Sequence, residues 1–273
     1  MNRVLTRAAQ YAVLAVAAVF FVLPVLWTLL TSLKPDLQLR SIPPTIVPSP
    51  PTLENYTGTG GGLLVYLRNS VVASVVATAV SLLLSIPAAY GFARFPYRFS
   101  GGVFGAIVIC RFVPTIVLSI PYFLMMSRLG LLDTLLGLVV VYVPLQTTLM
   151  VWLLESFFRQ VPRELEEAAQ IDGLGVVGRL VRIVIPLTLP SLAVATILGF
   201  LASWNEFLLA NTLGRTTASQ TMPVGIASFV TSFQTDWGQL TANGILYMLP
   251  VMAVTLAAQR GLISGLTQGA LKG

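Results

Sequence analysis

The chain has 273 residues, of which 56% are hydrophobic and only 10% charged, and its mean hydropathy is +0.85. That is more apolar side chain than one soluble core can hide, so a water-soluble domain is excluded and an all-α integral membrane protein is expected. The net charge of +6 is spread rather than gathered into a basic cluster with interleaved aromatics, which argues against nucleic acid and for contact with anionic membrane lipid.

The absence of histidine and the single cysteine, Cys110, leave no disulfide, metal site or histidine-based triad to build. No catalytic residue is expected. Nor is there a glycine-rich phosphate loop, so any ATP and Mg²⁺ must be bound by a partner chain.

In chain order, charge-free runs occupy residues 8–33, 69–93, 134–154, 183–205 and 237–259, with a further run at 99–127 broken only by Arg111. Each exceeds the roughly 20 residues that cross about 30 Å of hydrocarbon at helical rise. Six transmembrane helices are therefore expected, at about 8–33, 69–93, 101–127, 134–157, 187–212 and 239–262, forming a single transmembrane domain over 1–273. The first run follows Arg3 and Arg7 as a secretory signal would. Its 26 uncharged residues are too many for a signal core, however, and Pro24 stands where cleavage would fall, so it is read as helix one.

Residues 34–66 carry Pro43, Pro44, Pro48, Pro50 and Pro51, then Gly58, Gly60, Gly61 and Gly62, which favours an extended outer loop over a folded domain. Prolines within the runs, at Pro87, Pro114, Pro121, Pro144 and Pro250, are expected to kink their helices. Cys110 is expected to pack as a small apolar residue inside helix three. Placing both termini in the cytoplasm puts ten cations inside and five outside, in agreement with the positive-inside rule.

Between helices four and five, residues 159–182 hold four arginines, three glutamates and one aspartate. Pro162 suits a helix start, Glu164, Glu166 and Glu167 favour its positive end, and Gly173 suits a left-handed cap. A helix of about ten residues follows, with Ala168 and Ala169 giving a shallow surface for a partner.

The run Glu167-Ala168-Ala169, Gly173 after three residues, and Ile183 to Pro186 after nine resembles the signature of permease subunits of binding-protein-dependent ATP-binding-cassette importers. Asp172 stands in its usual place, and Ile185 replaces the common Leu. The resemblance implies that loop 159–186 is the coupling loop and that Glu167, Ala168, Ala169, Asp172, Gly173, Ile183 and Pro186 couple the chain to the ATPase. Tyr90 to Phe95, Leu129 to Thr134, Trp204 to Phe207 and the tail 265–273 resemble the smaller permease of maltose-type sugar importers.

By that resemblance the partners are a second permease in a heterodimer, two cassette ATPases and an extracytoplasmic solute-binding lipoprotein. The location is a bacterial or archaeal cytoplasmic membrane, and the cargo a trehalose- or maltose-type sugar or sugar-like polyol. Glycerol phosphate, or an ion-coupled secondary transporter, is the alternative.

Substrate-path candidates are Trp204, Asn205, Glu206 and Arg111. An indole can stack on a sugar face, a carboxylate and an amide can meet hydroxyls, and an intramembrane cation needs a water-lined or paired site. With straight helices, Arg111 lies near mid-membrane and Glu206 near the outer side, more than about 10 Å apart in depth, so separate partners are expected.

Overall fold

The computed structural model describes residues 2–57, 62–231, 233 and 235–270. In chain order the helices are α1 (Asn2–Ser32), α2 (Asp36–Leu39), α3 (Glu54–Thr57), α4 (Gly62–Arg94), α5 (Ser100–Cys110), α6 (Thr115–Arg128) and α7 (Leu135–Gln160). They continue as α8 (Arg163–Ile171), α9 (Val176–Arg179), a π-helical turn (Leu180–Val184), α10 (Ile185–Leu187), α11 (Leu189–Trp204), α12 (Leu208–Leu213), α13 (Met222–Ala227) and α14 (Trp237–Ala270). Among the described residues there is no strand, only an isolated bridge between Val230 and Thr235.

Four stretches are long and apolar enough to cross a membrane: Gln10–Ser32, Leu64–Arg94, Leu135–Gln160 and Trp237–Leu256. Two more candidates are broken. Helices α5 and α6 meet at 94°, and the helical run Val176–Leu187 meets α11 at 83°, so the total reaches six if each bent pair is one span.

The third helix bends at Pro114, where a kink is expected, whereas the fifth bends where none is expected; the straight-helix depth arithmetic applies to neither, and the causes are local. Pro114 lacks an N–H and pushes Val113 out of helical geometry, so α5 ends in tight turns, with Arg111 N donating to Val108 O and Phe112 N to Ile109 O. After Pro186, the Thr188 hydroxyl and amide both bond back to Val184 O at 2.7 and 3.0 Å, and α11 starts afresh with Pro190 in its first turn. The expected fifth helix to residue 212 instead ends at Trp204, and the sixth runs to Ala270 rather than 262. Residues 58, 60, 61 and 271–273, named above for the outer loop and the tail, lie outside the described residues.

Contacts divide the chain into two units, Met1–Leu64 with Gly225–Leu249, and Val65–Val224 with Pro250–Gly273. In the first unit, the span Gln10–Ser32 buries only its last residue, Ser32, and presents Phe20 and Phe21 outward, as a lipid-facing helix would. The loop after it is more ordered than its prolines suggest. Asn55 Nδ2 donates to Ser32 O and Lys34 O at 2.9 and 2.8 Å, Thr52 N donates to Leu33 O, and buried Lys34 donates to Thr45 O at 2.5 Å with its ammonium over the Trp27 ring.

The second unit is built on α4 against α7. Ser70, Ser74, Thr78, Ser81, Ser85 and Ala89 recur at helical spacing along α4 and are all buried. Small side chains let two helices approach until side-chain hydroxyls reach the neighbour's backbone. Ser81 Oγ donates to Val143 O at 3.2 Å and Ser85 Oγ to Thr147 O at 3.4 Å. One apolar cluster joins Ala73, Ala77, Leu138, Tyr142, Leu209 and Leu213, and a second joins Ala89, Ala93, Met150, Leu154, Phe158 and Leu192.

Candidate functional site

Two places in the second unit carry the chemistry, and the first is α8. Its N-terminus follows Pro162, and Glu164 and Glu166 lie in its first turn, where the helix dipole favours acids. At its other end Leu174 N bonds to Ala169 O at 2.9 Å and Gly173 N to Gln170 O at 3.0 Å, while Gly173 sits at φ +88°. These two bonds and the left-handed residue make a Schellman cap, so the glycine is required by the backbone.

Neighbouring residues on α8 point in different directions. Glu167, Ala168 and Asp172 are exposed together with the apolar Ile171, which is 88% exposed, and Val177 beyond the turn. Ala169 is buried, so the expected shallow surface is corrected: Ala168 is open to a partner and Ala169 seats the helix. Glu166 is also buried, accepting from Arg94 Nε and Tyr90 Oη, each at 2.5 Å, while Arg94 Nη2 donates to Val161 O at 2.7 Å. Every charge in this group has a partner, which is the condition for tolerating a buried ion pair. Ile183 is half-buried in the π-turn and Pro186 is exposed in α10, so both belong to the stretch leading into the 83° bend.

The second place is a cavity of about 460 Å³ beside the α5–α6 bend. Cys110, Arg111, Tyr122, Tyr142, Gln146 and Glu206 stand in its wall. Arg111 lies in the α5–α6 break and Glu206 between α11 and α12, and both line this one cavity; as expected, they form no ion pair with each other. Cys110 is exposed there instead of packed.

Glu206 turns back on its own chain. Its carboxylate accepts from Leu209 N at 2.9 and 3.0 Å, Ala210 N at 3.0 Å and Tyr142 Oη at 3.3 Å, capping α12. Trp204 is buried and stacked on Phe200 with ring centroids 5.3 Å apart, and exposed Asn205 donates to Leu201 O at 2.9 Å; neither lines the cavity.

Two residue groups escaped the sequence reading. Tyr90 and Arg94 stood in a quoted stretch, but nothing local to it connects them to Glu166, some 72 residues on from Arg94. Gln146 is a polar residue in an otherwise apolar run, followed directly by Thr147 and Thr148, and a polar side chain at that depth was an available signal of an interior position.

Residues 58–268 match the family model described as the binding-protein-dependent transport system inner membrane component. The chain belongs to this family. Its members are permease subunits of ATP-binding-cassette importers, multi-pass proteins of the inner membrane, with ATP hydrolysis carried out by a separate subunit.

The permease is 36% identical over 272 residues to the trehalose transport system permease protein SugB of Mycobacterium tuberculosis, covering 98% of each chain. It is also 36% identical over 252 residues to the sulfoquinovosyl glycerol transport system permease protein SmoH of Agrobacterium fabrum, covering 92% of this chain and 88% of that one. Among solved structures, a bacterial ABC transporter involved in the import of the acidic polysaccharide alginate shares the fold. That match has a TM-score of 0.78 at 20% identity, over 94% of this chain and 96% of that one.

Proposed function

We propose that this permease forms one half of the translocation path of an ATP-driven sugar importer, as a single transmembrane domain with both termini in the cytoplasm. The sugar assignment follows from the full-length similarity to permeases named for trehalose and sulfoquinovosyl glycerol transport. A second permease supplies the other half, two cassette ATPases bind ATP and Mg²⁺, and an extracytoplasmic binding protein delivers the solute.

Coupling runs through α8. Glu167, Ala168, Asp172 and Gly173 present the surface that meets the ATPase, Ala169 seats the helix, and Ile183 and Pro186 carry its movement into the bend before α11. The observation that carries this reading is the pairing of an exposed face on α8 with a buried Glu166 held by Arg94 and Tyr90 of α4. A helix that is open on one side and bonded to a membrane span on the other can pass displacement to that span. Closure of the ATPase pair would thus move α8, α4 and the path together.

The test is reconstitution with the candidate partner permease, ATPase and binding protein, reading ATP hydrolysis against a panel of binding-protein-delivered sugars. Stimulation by one sugar that is lost in Gly173→Asp, with membrane insertion unchanged, supports both parts of the reading. No copurifying ATPase and no stimulation would reject it.

A further inference from the structure

The cavity wall holds polar capacity that packing does not use. Its one carboxylate, Glu206, already accepts from two backbone amides and the Tyr142 hydroxyl. Arg111 is exposed at the bend, and the ion pairs among the described residues are Asp36 with Arg40, Glu155 with Arg159 and Glu166 with Arg94, so its guanidinium has none. Gln146 is 1% exposed. Its Oε1 accepts from Thr78 at 3.1 Å while its Nε2 has no partner. A buried amide nitrogen in that condition is costly to maintain unless something in the cavity completes it.

The wall's one carboxylate is thus satisfied within the chain, while the Arg111 guanidinium has no ion pair and Gln146 Nε2 no partner. A guanidinium presents a planar fork that matches carboxylate, sulfonate or phosphate, an amide N–H suits a hydroxyl or ring oxygen, and tyrosine rings suit the apolar face of a polyol. The volume of about 460 Å³ falls within the range of small-ligand sites, roughly 300–1,000 Å³.

We propose that this cavity is a solute subsite carried by the chain itself, taking a hydroxylated solute that bears an anionic group, with Arg111 on the anion and Gln146 Nε2 on a neighbouring oxygen. It rests on the importer reading and adds to it a charge preference and two contact residues. Trp204 and Asn205 have no part in the subsite, and Glu206 holds α12 and Tyr142 in place around it.

Cys110 gives a built-in reporter, since it is the only cysteine of the chain and stands in the cavity wall. In the complete reconstituted importer, with cysteines of the other subunits replaced, its labelling by an anionic sulfonatoethyl methanethiosulfonate is compared with that by a cationic trimethylammonioethyl one. Each rate is normalised to free thiol. The anionic reagent is expected to be favoured by about tenfold, a magnitude typical of a cleft lined by one sign of charge.

Arg111→Gln should erase that ratio and Arg111→Lys should keep most of it. Glucuronate in excess should slow labelling and glucose at equal concentration should not, and Gln146→Leu should weaken the protection without changing the charge ratio. A ratio near one in the wild-type assembly, as an acid of the companion permease paired with Arg111 would produce, overturns the proposal. So does a ratio that survives Arg111→Gln, or equal protection by glucose. Copurification and stimulation of the ATPase are read on the same preparation, so failure of the importer reading is seen separately.

Discussion

Arg94 at the end of α4 and Glu166 in the first turn of α8 form an ion pair, Nε to Oε1 at 2.5 Å, with side chains only 7% and 6% exposed. The pair ties the helix with the exposed face to a membrane span, and its remaining donors and acceptors go to Val161 O and Tyr90 Oη.

Removing one member should therefore cost more than removing both. Arg94→Ala or Glu166→Ala leaves a buried charge alone, at about 3–5 kcal/mol, whereas Arg94→Met with Glu166→Leu restores apolar packing at far lower cost. The single variants should lose amide protection in residues 163–174 and lose sugar-stimulated ATP hydrolysis. The double variant should regain protection, measured by hydrogen exchange, without regaining full coupling. Equal protection in all three would show that α8 is held by something else.

Gly173 separates backbone requirement from partner contact. A Cβ built there meets nothing within 4 Å, yet φ is +88°, so a substitution is strained by conformation alone. Gly173→Ala should destabilise the cap by about 1–2 kcal/mol, and Gly173→Asn by less, because asparagine tolerates the left-handed region. Gly173→Asp shares much of asparagine's tolerance while adding a charge to the exposed face. Coupling lost in the aspartate variant but kept in the asparagine one would assign the effect to docking, and equal losses would assign it to the fold.

The sequence carried the membrane class, the short helix before Gly173 and the cap that ends it, because each depends on residues close together in the chain. What it did not carry depends on helix breaks. Depth arithmetic along straight helices separated Arg111 from Glu206, whereas the bend at Pro114 and the end of α11 at Trp204 leave both in the wall of one cavity. The same limit hid Glu166, which composition leaves indistinguishable from Glu164 and Glu167 until α4 arrives beside it. Trp204 was read as a solute-facing indole from its neighbours Asn205 and Glu206, whereas its position on α11 turns it onto Phe200.

Close approach of α11 to α7 lays the flexible end of Met150 against Gly199, so a larger residue there requires Met150 to shift. A Cβ there would fall 2.0 Å from Met150 Cε and 3.3 Å from Gln146 Oε1. Gly199→Ala should destabilise the assembled permease by about 1–3 kcal/mol through overpacking. Shortening the neighbour with Met150→Ala in the same chain should recover part of that loss, a coupling expected for residues in contact. Thermal unfolding in detergent of the two single variants and the double one tests it, and strict additivity would count against the contact.

Asp133 supplies a pH-dependent fastening on the turn between α6 and α7. It sits at φ 58° and accepts from Arg215 N at 2.8 Å, Thr216 N at 2.9 Å, Thr216 Oγ1 at 2.8 Å and Ser219 Oγ at 2.5 Å, binding the turn to residues 215–219. Partial desolvation raises its pKa, but the hydrogen bonds from Ser219, Thr216 and Arg215 outweigh that and hold it at about 2, below its ordinary 3.8. A depressed carboxylate pKa contributes stability that is complete above the unfolded value and is lost as pH falls through the folded one. Protection of residues 213–221 should therefore stay flat from pH 7 to about 5 and fall between 3.8 and about 2. Asp133→Asn keeps the left-handed backbone and one carbonyl acceptor but loses the charge, so it should start weaker and show no acid step over that interval. A wild-type acid step that persists unchanged in Asp133→Asn would assign the transition to another carboxylate.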